Sequence, residues 1–240
     1  NGTGTDGTST AVGGHQIQRN GFYPEFNDNE DYSAMRDKLI KKIDAVLEEG
    51  APFSMYLNDK SEDIGKWSKE ITKSEKDGII TAVYTDPPGT LRAEVDATVY
   101  ADSPTVDYTV HIKNTSDGKS PVISALNGID VAVDLPKKDG NYVLNTTQGC
   151  GVQGSEDYDD FGLETYKLLT TSWRTFKPNQ GRSSDEAWPF FDILGDNCGL
   201  LLAVGWSGQW KAKFRERDGK AVIQAGMERL NTYLEPGEEI

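Results

Sequence analysis

The spacing of apolar residues changes once along this chain, and that change limits the fold more than any other feature. Between Asn29 and Gly50, Tyr32, Met35, Leu39, Ile43 and Val46 recur three and four positions apart, which marks one face of a helix. Lys38, Lys41, Lys42 and Asp44 fill the remaining surface. The pattern predicts an amphipathic helix over about residues 31–48, its stripe packed on a sheet rather than laid on a membrane surface. Gly50 is placed to end it in the left-handed conformation.

After Gly50 the period becomes two. Ala93, Val95, Ala97 and Val99 alternate with Glu94, Asp96, Thr98 and Tyr100; Val106, Tyr108, Val110 and Ile112 alternate with Asp107, Thr109 and His111. Ile129, Val131, Val133 and Leu135 alternate with Asp130, Ala132 and Asp134. Each run reads as a half-buried strand. Turn chemistry separates the runs, at Asp86-Pro87-Pro88-Gly89, Asp102-Ser103-Pro104, 114–118 and 137–140. Further strands are expected near 53–57, 79–84, 142–145, 166–171, 200–206, 210–214, 221–225 and 229–234. About a dozen strands joined by short turns predict a mainly β chain, a large two-sheet antiparallel sandwich carrying one helix. The first fourteen residues are rich in Gly and Thr and read as a flexible lead. Residues 15–240 are expected to form a single domain.

The chain has 240 residues, 39 of them acidic against 25 basic, for a net charge of −14. That balance repels phosphate backbones and anionic lipid surfaces, so neither nucleic acid nor membrane is an expected partner. No run of about 18 apolar residues is present to span a bilayer. No signal peptide is visible at Asn1, which leaves the cellular compartment undetermined. Cys150 and Cys198 are the only cysteines. They leave open both a disulfide and two buried free thiols.

Several motifs have a sharp reading and a plainer one. Gly149 to Gly154 matches G-x-G-x-x-G. Dinucleotide binding requires a helix N-terminus next, but an acidic stretch follows, so a glycine-rich loop is the better reading. Glu156, Asp157, Asp159 and Asp160 form a carboxylate cluster without EF-hand spacing, and a solvated loop is favoured over a calcium site. His15 and His111, the only histidines, fit no zinc or nucleophile pattern. No cofactor is expected. The richest constellation lies between Arg182 and Trp210. A sugar ring offers C–H faces for aromatic stacking, and its hydroxyls suit carboxylate, guanidinium and amide groups. Arg182, Ser183, Ser184, Asp185, Trp188, Trp206, Gln209 and Trp210 are the candidate carbohydrate-binding residues on that ground. The rim is expected to stand on a buried Phe190 or Phe191. Against this, tryptophans in a sandwich usually belong to the core. Gly205-Trp206-Ser207-Gly208-Gln209-Trp210 suggests a tight hairpin.

The stretch from Gly181 to Ile240 resembles the end of the N-terminal β-supersandwich domain of melibiase-type α-galactosidases (glycoside hydrolase family 36 and its close relatives). Arg182-Ser183-Ser184, Pro189-Phe190-Phe191 and Gly205 to Trp210 carry the likeness, completed by Gly226-Met227-Glu228 and Leu234 to Glu238. A weaker likeness reaches back to about Ala51; the helix has no place in it. The resemblance implies a domain that packs on a catalytic (β/α)8 barrel following residue 240, with its loops near a galactoside site of its own or a neighbouring subunit. Homo-oligomerisation is a further option. The catalytic aspartates of such enzymes belong to the barrel, which takes about 250 residues by itself, so this chain alone is expected to be inactive. The alternative is a free-standing carbohydrate-binding sandwich module.

Overall fold

In a computed structural model, residues 33–74, 78–150 and 161–240 are described. Tyr32, His15, the Gly/Thr-rich lead and the acidic cluster at 156–160 lie outside them. So does the run from Gly151 that would complete the glycine motif.

The helix, α1, spans Ser33–Glu49. Its packed side differs from the expected stripe. Ile40, Ile43 and Leu47 face the core while Met35 is exposed. Only Ile43 belongs to both sets, so the true face is rotated from the one read in the sequence. Gly50 does not adopt the left-handed conformation. Its N–H continues the helical ladder to the Val46 carbonyl at 3.0 Å, and the ammonium of Lys69 closes the end by donating to the carbonyls of Leu47 and Glu48. A lysine reaching the last free carbonyls does what a C-terminal glycine does elsewhere. Lys73 also pairs with Asp44 at 2.7 Å.

Sixteen strands follow among the described residues: β1 (Ser54–Leu57), β2 (Lys60–Ser61), β3 (Ser68–Ser74), β4 (Ile79–Thr85), β5 (Leu91–Val99), β6 (Val106–Asn114), β7 (Ile123–Asn127) and β8 (Ile129–Val133). The rest are β9 (Val143–Gln148), β10 (Leu163–Lys167), β11 (Arg174–Phe176), β12 (Ala187–Leu194), β13 (Gly199–Ala203), β14 (Trp210–Arg217), β15 (Lys220–Met227) and β16 (Asn231–Thr232). They form four antiparallel sheets of four strands, ordered β16-β7-β1-β2, β3-β4-β5-β6, β10-β9-β12-β13 and β11-β14-β15-β8.

Two hydrophobic cores organise the sheets. The first joins β3–β6, through Ile80, Tyr84, Val95 and Ile112, to Met55 of β1, Ile123 of β7 and the helix. The alternation expected in β5 and β6 holds: Ala93, Val95 and Ala97 pair with Ile112, Val110 and Tyr108 on the inward face. The second core lies between the other two sheets. Leu144, Phe191 and Ile193 on one side meet Trp210, Phe214 and Ile223 on the other. Phe191 contacts both Trp210 and Phe214, with ring centroids 5.8 and 4.7 Å apart, the contact geometry that adds to simple burial for aromatic pairs. β7 and β8 are consecutive in the chain, parted by Gly128, yet serve different sheets. The two-residue strand β16 and the short β2 lie at the edges of one sheet.

Candidate functional site

β12 builds the centre of the candidate site, in a stretch where the sequence predicts no strand. Pro189 obscures it, because a proline has no N–H for the ladder. The pairing of β12 with β9 slips between Ala187 and Phe191, and the irregularity falls where Pro189 cannot donate. Its carbonyl still accepts from the N–H of Val204 at 2.9 Å. Beyond the slip, Phe191 turns inward and is buried, while Phe190 faces out.

The loop before β12 is held largely by its own backbone. Arg182 N–H donates to the Asn179 carbonyl, and Asn179 N–H to that of Asp185. Gln180, Gly181 and Glu186 all have positive φ. Strand end and loop are stitched together by Cys150 N–H on the Ser184 carbonyl and Glu186 N–H on the Cys150 carbonyl, at 2.8 and 3.0 Å. Gly149 is required there: a Cβ on it would lie 2.0 Å from the Ser184 oxygen. That close approach is the role the structure gives to the first glycine of the motif. Cys150 and Cys198 are free and exposed, not buried.

The candidate residues divide by position. Trp210 has 0 % exposure and its indole N–H donates to the Ser183 carbonyl at 2.8 Å. It supports the loop from beneath and has no face for a sugar. Asp185 is also buried, so it does not stand on the rim. Ser183 and Ser184 are half-buried. Gln209 is committed to the loop, accepting from Gly181 N–H at 2.9 Å and donating to the Pro178 carbonyl. Arg182 is exposed. Trp206 is 45 % exposed and lies between β13 and β14, which belong to different sheets. Gly205 to Gln209 is therefore a crossover rather than the expected hairpin. Trp188, half-buried, stacks on Phe190 with centroids 5.9 Å apart and meets Phe161 edge-on at 5.4 Å.

Two surfaces result. One is an open cleft of about 470 Å³ lined by Lys177, Pro178, Asn179, Gln180, Gly181, Glu186, Gln209 and Arg229. Glu228 lies beside it, paired with Lys177 at 2.8 Å. The Lys177 ammonium holds the Glu228 carboxyl below the usual range against an opposing effect of burial, with help from Gln209 and Arg229. Such a cleft presents amide, ammonium, guanidinium and carboxylate groups to a polyol. Lys177, Asn179 and Arg229 were not singled out in the sequence, because the loop meets Arg229 only through the fold. The other surface is the outer face of β10-β9-β12-β13. There Leu163 is 71 %, Phe190 43 % and Leu201 74 % exposed, with Phe161 and Trp188 alongside. One polar row crosses it: Thr165 donates to Asn145 Oδ1 at 2.9 Å, and Asn145 Nδ2 to Asp192 at 3.3 Å. Burial raises the Asp192 carboxyl above its ordinary pKa, a rise that the Asn145 hydrogen bond opposes. Among the described residues no cluster of His, Cys, Asp and Glu is arranged to hold a metal ion, and no helix is long and apolar enough to cross a membrane.

No protein-family model and no curated protein matches this sequence. Solved structures do. The chain is similar to the GH36 α-galactosidase AgaA from Geobacillus stearothermophilus, with 15 % identity and a TM-score of 0.59 over 80 % of this chain and 29 % of that one. It is similar to the α-galactosidase from Lactobacillus brevis at 14 % identity and a TM-score of 0.59, over 79 % of this chain and 28 % of the other. The galactosidase domain of the α-galactosidase–sucrose kinase AgaSK gives 13 % identity and a TM-score of 0.58, over 80 % and 28 %. The chain thus spans less than a third of the length of each. It has the fold of one part of a GH36 α-galactosidase, in keeping with its resemblance to the N-terminal β-supersandwich of those enzymes.

Proposed function

We propose that this chain is a non-catalytic N-terminal domain of an α-galactosidase-like glycoside hydrolase, packing on a catalytic barrel and shaping access to its sugar site. The observation that carries this reading is the outer face of β10-β9-β12-β13. Phe190 stacks with Trp188, which meets Phe161, and exposed Leu163 and Leu201 stand on the same face of the sheet; exposed apolar side chains gathered on one face mark a surface that another protein covers. The matched enzymes include AgaA variants solved with stachyose and with raffinose, which supports galactosides as the substrate class of the intact protein. The segment 177–188, which runs into β12, and Trp206 are the parts of this chain we assign to the approach to that sugar. A second reading, a carbohydrate-binding module in its own right, is favoured by the polar cleft at Lys177–Arg229.

The test compares the protein expressed from its full reading frame with residues 1–240 alone. We expect aryl α-galactoside hydrolysis by the former and none by the latter. Leu201→Asp should lower the melting temperature of the full protein and leave that of residues 1–240 within about 1 °C, since an exposed substitution changes stability little by itself. Millimolar binding of raffinose by residues 1–240, lost on Arg229→Ala, supports the second reading instead. Turnover by residues 1–240 that disappears on removing one carboxylate overturns both.

A further inference from the structure

A cationic strand face stands out on a chain of net charge −14. Lys211, Lys213 and Arg215 occupy alternate positions of β14, opposite the inward Trp210, Ala212 and Phe214. Side chains at alternate strand positions share a face and stand about 6.7 Å apart. None of the three forms an ion pair among the described residues. Trp173 lies against two of them, its ring centroid 4.9 Å from the Lys213 ammonium and 4.3 Å from the Arg215 guanidinium. The Nε of Arg215 is buried with no hydrogen-bond partner among the described residues. Across the sheet, Lys213 pairs with Gln224 and Gln224 with Asp130, and the Gln224 amide donates to Asp130 at 3.0 Å. Burial, with Lys211 and Arg215, holds the Lys213 pKa below its ordinary value, and Asp130 is the single acid that opposes the fall. Arg217, at the strand end, already has Asp218 at 3.8 Å.

Three like charges in a row, partly desolvated, repel one another. A cation resting on an indole recovers part of that loss, and an acidic partner would recover more. The Trp173 ring is occupied by cations, so it is poorly placed to stack on a sugar. The sheet face instead presents charges at the repeat of an extended polypeptide. We propose that the β14 face, Lys211, Lys213 and Arg215 with Trp173 against the last two, is a docking surface for an extended acidic protein segment with carboxylates at alternate positions. The charge complementarity and the shared two-residue repeat point to that occupant.

The probe is a fluorescein-labelled decapeptide of alternating Glu and Thr, followed by anisotropy with the 240-residue chain. Binding should saturate at about 50 mM salt and weaken about tenfold by about 200 mM, as screening shortens the reach of each charge. Lys213→Glu/Arg215→Glu should weaken it about tenfold or more, while Lys60→Glu on exposed β2 should change it less than about twofold. Lys213→Gln/Arg215→Gln serves as the milder pair if the charge reversal disturbs the fold, and should weaken binding at least threefold. No saturable binding, or binding that survives both double substitutions, overturns the proposal. So does a sulfated oligosaccharide that displaces the peptide and binds more tightly through the same residues.

Discussion

At the scale of single residues, Asp192 shows how a sheet face can penalise a charge without ever being closed to solvent. Its carboxyl is raised above the ordinary 3.8 by burial, with only the Asn145 amide opposing. A folded-state pKa above the unfolded one means that the native protein holds the extra proton. The contribution of Asp192 is therefore most favourable below about pH 3.8 and declines as pH rises through the native value. Asp192→Asn should be more stable than the parent at about pH 7, and the gap should close towards about pH 3. Urea midpoints across that range check it; a gap independent of pH refutes the assignment. Trp210 illustrates the opposite case. Its indole both fills the core and donates to Ser183, so a residue read as a possible sugar contact acts on the loop from inside. Composition alone cannot separate Trp206 from Trp210, since only the tertiary path between β13 and β14 sends one out and the other in.

Among the elements, those with an unbroken local period were readable from sequence. β5, β6 and β8 fall where alternation puts them, because each has one face on a core and the pleat has a strict period of two. The helix was found but its packed side was not; Met35 is an apolar residue left outside, and Leu47 an inward one outside the chosen stripe. β12 was missed because Pro189 breaks the ladder signal, and β3, SKEITKS, because its alternation is largely polar. The cleft was invisible for another reason: Lys177 and Glu228 are joined only by the fold. One element-level contact is testable directly. A Cβ at Gly149 would meet the Ser184 carbonyl at 2.0 Å and the Ala187 nitrogen at 3.0 Å. Backbone cannot step aside as a flexible side chain does, so Gly149→Ala should destabilise by about 1–3 kcal/mol, the range for overpacked sites. Gly205→Ala, with nothing within 4 Å of its added Cβ, is the control and should stay within about 0.5 kcal/mol. Equal melting temperatures for the two variants would refute the close-approach role of Gly149.

For the whole molecule, the arrangement of cores matters more than their size. The chain crosses from one core to the other within a single run, β7 to β8, with Gly128 between Asn127 and Ile129. On the facing strand, a Cβ at Gly226 would come within 2.1 Å of the Leu126 carbonyl, so β15 rests directly on that crossing. The Asp130 N–H, just past it, bonds to the Pro52 carbonyl. Sliding β7 by one residue would force β8 to slide too, and every side chain of β8 would then face the wrong way. Neither half can lose its register while the other keeps it. Calorimetric unfolding of residues 33–240 should accordingly give one transition, with calorimetric and van't Hoff enthalpies in agreement; two resolved peaks would show that the halves melt independently. A splice made for geometry thus sets thermal behaviour, since a shared strand run leaves no seam along which heat can part the molecule.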